Sequence, residues 1–123
     1  MDAPTDIAVE FVAKGDSADE WQLFLFEQGP WSDVTRELLR FQERLYDCID
    51  TVVDGQVAAK FPDSKGARVV IRVYCCDLPR REVTDFFQRF TKGIFRDGDY
   101  RTALERHEYV SDIAFAINFD HMH

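Results

Sequence analysis

Residues 21–55 read WQLFLFEQGPWSDVTRELLRFQERLYDCIDTVVDG, a strand, a turn and a long helix in succession. Side chains alternate along a strand, so Trp21, Leu23 and Leu25 share one face and Phe24 and Phe26 the other. Both faces are apolar, which fits a central strand covered on both sides or buried against a partner. Gln28-Gly29-Pro30 ends the run. Ser32 or Asp33 can cap the following helix by accepting backbone N–H bonds. Leu38, Phe41, Leu45, Ile49 and Val52 recur every three or four residues, the spacing of one helix face, and predict a helix over 34–53. Gly55, just after Asp54, supplies its stop.

On the N-terminal side, residues 5–13 alternate, with Ile7, Val9 and Phe11 against Asp6, Ala8 and Glu10. This predicts a half-buried strand. The polar run from Lys14 to Asp19 then closes an antiparallel hairpin onto the Trp21 strand. Beyond the helix, Val57-Ala58-Ala59 shows no period, and 61–66 is turn chemistry with Pro62 and Gly66, so 56–66 reads as loop. Residues 68–76 form a second strand, with Val69, Ile71, Val73 and Cys75 on one face and Val70, Arg72 and Tyr74 on the other. Asp77-Leu78-Pro79 opens a second helix, Asp77 as cap and Pro79 in the first turn. Val83, Phe86, Phe87, Phe90 and Ile94 make its apolar stripe, and Gly93 with Asp97-Gly98 closes it.

Residues 99–110 read as a short helix with Tyr100, Ala103, Leu104 and His107 on one face, a strand being the alternative. Ile113, Phe115, Ile117 and Phe119 then alternate with Ala114, Ala116 and Asn118, a strand with a large-residue face and a small-residue face. The order ββαβα(α/β)β predicts an α+β fold: a two-layer α/β sandwich with helices on one face of a largely antiparallel sheet. No linker or repeat divides residues 1–123, so one domain is expected.

Eleven phenylalanines in 123 residues call for an aromatic core, or a core plus an apolar interface. Fifteen basic against 23 acidic side chains give a formal net charge of −8. That disfavours nucleic acid and anionic lipid as partners and suits a basic protein, although the charge also serves solubility alone. Cys48, Cys75 and Cys76 are an odd number with an adjacent pair, which is no disulfide framework; buried thiols of a reducing cytosol are the simpler account. No basic-plus-apolar leader and no apolar run of about 18 residues is present, so a soluble, cytoplasmic protein is expected.

Several groupings bear on chemistry. Glu43, Asp47, Asp50 and Asp54, spaced four, three and four, line one flank of the long helix. They repel one another, and they lie toward the negative end of the helix dipole. This flank is a candidate site for a basic partner, against the plainer reading of a solvated face offset by Arg40 and Arg44. Trp31 either anchors an interface or packs in the core. Asp120-His121-Met122-His123 has metal-binding residue types but no fourth ligand, so no metal or cofactor is assigned. His107 beside Glu105 and Glu108 lacks a nucleophile, and Cys75-Cys76 lacks the CxxC spacing of a redox pair, so no catalytic residue is assigned. Arg80, Arg81, Arg89, Lys92 and Arg96 make the second helix locally basic, and an anion could dock at its N-terminus.

The strand Asp6-Ile7-Ala8-Val9, the apolar strand after it, Trp31 with a following acid, and the helix segment 38–46 (LLRFQERLY) make up a recognisable pattern. It continues through Asp54-Gly55, Pro62-Asp63 and the strand from Val69. On these residues, about two thirds of the chain, the sequence resembles a family of small bacterial α/β domains of unknown function. It departs from the family pattern at Val53-Asp54-Gly55, where a Glu-Ser-Gly turn is usual. The resemblance implies a compact α/β fold and brings no catalytic residues.

The resulting expectation is a non-enzymatic protein-interaction domain, such as an acidic immunity or inhibitor protein, that meets a basic partner through Glu43, Asp47, Asp50, Asp54 and Trp31. The alternatives are a small-molecule or enzymatic domain with a pocket between sheet and helices, using His107, Arg72 or Tyr74, and a homodimeric structural domain that buries surplus Phe residues.

Overall fold

The computed structural model describes residues 11–14, 19–96 and 98–119. Its elements are β1 (Phe11–Lys14), β2 (Glu20–Gln28), α1 (Val34–Val53), α2 (Gln56–Lys60), a 3₁₀ turn at Pro62–Ser64, β3 (Arg68–Cys76), α3 (Arg80–Gly93), α4 (Gly98–Glu105) and β4 (Asp112–Phe119).

The four strands form one sheet in the order β1-β2-β3-β4. β1 pairs antiparallel with β2, and Lys14, expected in the turn, extends the strand to face Trp21. β2, β3 and β4 are all parallel, with Leu23 opposite Ile71 and Ile71 opposite Phe115. The expected largely antiparallel sheet is therefore corrected. The connections decide it: α1 and α2 separate β2 from β3, and α3 and α4 separate β3 from β4. A crossover long enough to hold a helix returns the chain to the same end of the sheet, and the next strand then runs parallel. Such crossovers are right-handed as a rule. Both step across the sheet in the same direction, so both helices land on one face.

The buried rows agree. Leu23, Leu25, Ile71 and Val73 from the sheet and Phe41, Leu45 and Ile49 from α1 are all 0% exposed and belong to one core, with Val83 and Phe87 from α3. The large-residue face of β4 joins it: Phe87 and Phe90 meet the Phe115 ring edge-on, and Phe95 stacks on it. The opposite sheet face carries Gln22, Phe24, Phe26, Val70, Arg72, Tyr74, Ala114, Ala116 and Asn118, of which Val70 is buried. There Phe26 is 48% and Tyr74 38% exposed. The two apolar faces of β2 thus have different fates, one sealed by helices and one open at Phe26.

Local chemistry explains the element ends. Asp33 caps α1 by accepting the Arg36 N–H. Gly55 follows Asp54 at φ +88°, in the left-handed region that favours glycine, beneath the Tyr109 ring. Residues 56–60, expected as loop, form α2, because Val57 is buried against the core and one turn suffices to seat it. Asp77 does not cap α3. It sits at φ +60°, and Pro79 takes the cap position without a side-chain bond. Residues 98–105 form α4, the helical option, with Tyr100 and Leu104 packed on the core. Residues 5–10 of the first strand, Asp97 and the 120–123 tail lie outside the described residues.

The loops leaving β2 and β3 pack tightly. The Gly29 N–H donates to the Cys76 carbonyl at 2.8 Å. A Cβ on Gly29 would collide with the Asp77 carbonyl oxygen. Gly29→Ala should therefore destabilise the fold by about 2 kcal/mol or more, as overpacking against backbone does. A urea midpoint equal to wild type would contradict this approach of the two loops.

Candidate functional site

Glu27 continues the core-facing row of β2 and is 3% exposed. A lone buried carboxylate is costly, and α1 supplies its partners. Arg40 bonds both carboxylate oxygens, with Nη2 2.6 Å from Oε1 and Nη1 3.3 Å from Oε2. Arg44 Nη1 lies 2.6 Å from Oε2 and also donates to the Phe26 carbonyl at 2.9 Å. Arg40 further holds Glu37 at 2.7 Å and lies over the Trp31 ring at 6.0 Å. These bonds, led by that to Glu27, raise the Arg40 pKa and keep it a fixed cation.

Arg40 and Arg44, expected to offset the acidic flank, thus both bind the sheet. At 100° per residue the acids lie farther around α1, between this arginine edge and Tyr46. Glu43, Asp47 and Asp54 are exposed, and among the described residues none of them forms a salt bridge. Asp50 is half-buried and accepts a 2.7 Å bond from the Tyr100 hydroxyl. Burial first, and then this bond, raise the Tyr100 pKa. Of the five proposed contact residues the structure brings the four acids to one flank. Trp31 is separate: it is 9% exposed and packs against Phe41, so it takes the core role rather than that of an exposed anchor.

Beside the acids runs an open groove of about 640 Å³ between α1, α3 and α4. Its walls are aromatic: Tyr46 meets Phe90 edge-on at 5.2 Å and stacks on Tyr100 at 5.6 Å. Arg89, on α3, also lines it. A second hollow, about 510 Å³, opens at the carboxyl ends of β2, β3 and β4 between Phe26, Tyr74, Asn118 and Phe119.

Residues 4–107 match the family of unknown function DUF6572. The chain belongs to that family. No curated protein and no solved structure matched it.

In this DUF6572 chain the residues of the expected pocket do not meet between sheet and helices. Arg72 and Tyr74 point away from the helices. Arg72 bonds Gln22, and Tyr74 stacks between Phe24 and Phe26. His107 is exposed in the loop before β4, at the opposite end of the strands from Tyr74. Among the described residues no cluster of three His, Cys, Asp or Glu could hold a metal ion, and no helix is long and apolar enough to cross a membrane. Sequence reasoning missed the Glu27 cluster. Its signal was there: Glu27 has the odd parity of Leu23 and Leu25, and Arg40 and Arg44 are one helical turn apart.

Replacing both Arg40 and Arg44 by Ala strips a buried carboxylate of its partners and should cost about 3 kcal/mol. Glu27→Gln, which keeps hydrogen-bonding capacity, should cost about half of that. Urea denaturation of the two variants checks the order. The thiols give a separate test. Burial, reinforced by the Glu27 charge, pushes the Cys75 thiol up to about 12, and burial also raises Cys48. Both should resist alkylation in the native protein at mildly alkaline pH and react in urea. Because the folded values are raised, this stability is whole below the ordinary thiol pKa and is lost as pH rises from about 9 toward 12. Native alkylation of Cys48 would contradict its burial.

Proposed function

We propose that this protein is a non-enzymatic interaction domain of the immunity or inhibitor type, acting in the cytoplasm on a basic protein partner. The carrying observation is the flank of α1. Glu43, Asp47 and Asp54 stand exposed without ion pairs among the described residues, next to an aromatic-walled groove. An uncovered acidic edge attracts a basic surface and speeds encounter, and the adjoining groove offers apolar contact to a side chain inserted from that surface. Asp50, through Tyr100, ties α4 to α1 and shapes the groove without itself facing the partner freely.

A second reading rests on the hollow at the strand ends. Ligands of open α/β sheets bind outside the carboxyl ends of the strands, and the stacked Phe26 and Tyr74 rings would form one apolar wall for a small molecule there.

The test of the leading reading uses the wild-type chain and the variant Glu43→Ala/Asp47→Ala/Asp54→Ala as baits against the native host's lysate. Wild type should retain a stoichiometric basic protein that salt releases. The variant should bind that protein at least about tenfold more weakly, as three surface charges of about 0.5 kcal/mol each imply. Equal retention by both baits would remove the proposed surface.

A further inference from the structure

The sheet ends on β4 at one edge. β4 has eight residues. From Ile113 to Phe119 it holds no charged residue and no proline. Its register is continuous with β3 from Asp112 to Phe119, and no bulge interrupts it. Among the described residues nothing pairs with its outer side. A long, uninterrupted, apolar edge in this state is a template for another strand.

The sequence of that edge says which strand. Ile113-Ala114-Phe115-Ala116-Ile117 reads the same in both directions. We propose that two copies of this chain pair β4 to β4 antiparallel about a two-fold axis through Phe115, joining their sheets into one of eight strands. This goes beyond the proposed function and leaves the acidic flank free. In this register Ile113 faces Ile117 of the second copy, Ala114 faces Ala116, and Phe115 faces Phe115. At each end the Asp112 carboxylate faces the Asn118 amide, a donor for it. No like charges are opposed. That matters for a chain of net charge −8, whose copies repel everywhere else. A basic foreign partner would gain nothing from this uncharged strip. Seven residue pairs give about six to eight main-chain hydrogen bonds and a ladder of about 23 Å. The two-fold also sets both helix layers on the same side of the joined sheet.

The test is mass by light scattering on the eluting full-length chain, over a dilution series, with three proteins. Wild type should elute at twice 14.3 kDa and dissociate on dilution. Ala114→Lys/Ala116→Lys opposes lysines twice across the axis, beside Arg72, and should weaken the dimer about thirtyfold while keeping a native circular dichroism spectrum. Ala114→Lys/Ala116→Glu sets opposite charges across the same two pairs and should restore the dimer. Both residues lie on the open sheet face, where longer side chains reach water. A wild type that stays at 14.3 kDa throughout would overturn the proposal. So would a dimer indifferent to the double lysine variant, or a charge-swapped variant that remains monomeric.

Discussion

Two consecutive strand–helix–strand crossovers are the constraint from which the rest of this molecule follows. Each carries the chain back to the end of the sheet where the previous strand began, so that β2, β3 and β4 run parallel. Both step the same way across the sheet, which stacks α1 and α3 on one face. The main core cluster forms on that side, from Leu23, Leu25, Ile71 and Val73 below and Phe41, Leu45, Val83 and Phe87 above. Among the described residues, the exposed part of the other face, the β4 edge and the outer flanks of the helices are left for contact with other molecules.

α1 carries the main charge separation within this plan. Its buried face seals the sheet. One edge reaches down with Arg40 and Arg44 to Glu27, and the neighbouring edge presents Glu43, Asp47 and Asp54 to solvent. Burying Glu27 is unfavourable in itself, so its two arginines act less as a source of stability than as a register pin. Only one helical rotation and one strand offset bring both guanidinium groups onto the carboxylate. The same rotation fixes where the acids face and sets Tyr46 against Phe90 and Tyr100. Functional surface and buried ion cluster are thus two consequences of one helix orientation.

Much of this was legible in the residues. The 3.6-residue period gave α1 at 34–53, and the two-residue period gave β3 at 68–76 and the large and small faces of β4, because long elements with one buried face repeat their signal many times. What failed was short or non-local. α2 buries only Val57, too little for a period to show. The cap of α3 depends on Asp77 standing at φ +60° against the Gly29 loop, a tertiary contact. Strand direction is not written in any one strand, although the helices lying between strands imply it. Of the candidate site, the acidic flank was readable from its spacing. The burial of Trp31 and the engagement of Arg40 and Arg44 by Glu27 needed the sheet beneath them.

The claim on which everything rests is the parallel run of β2, β3 and β4, and interstrand nuclear Overhauser contacts test it most directly. Antiparallel neighbours bring Hα atoms of facing residues close together, whereas parallel neighbours keep them apart. The account predicts strong Hα–Hα contacts between β1 and β2, which serve as the internal control. It predicts none between β2 and β3 or between β3 and β4, where amide-to-Hα contacts should instead link Leu23 with the residues around Ile71, and Ile71 with those around Phe115. Strong Hα–Hα contacts across β2 and β3 would contradict the topology, and with it the single helix-covered face and the open β4 edge.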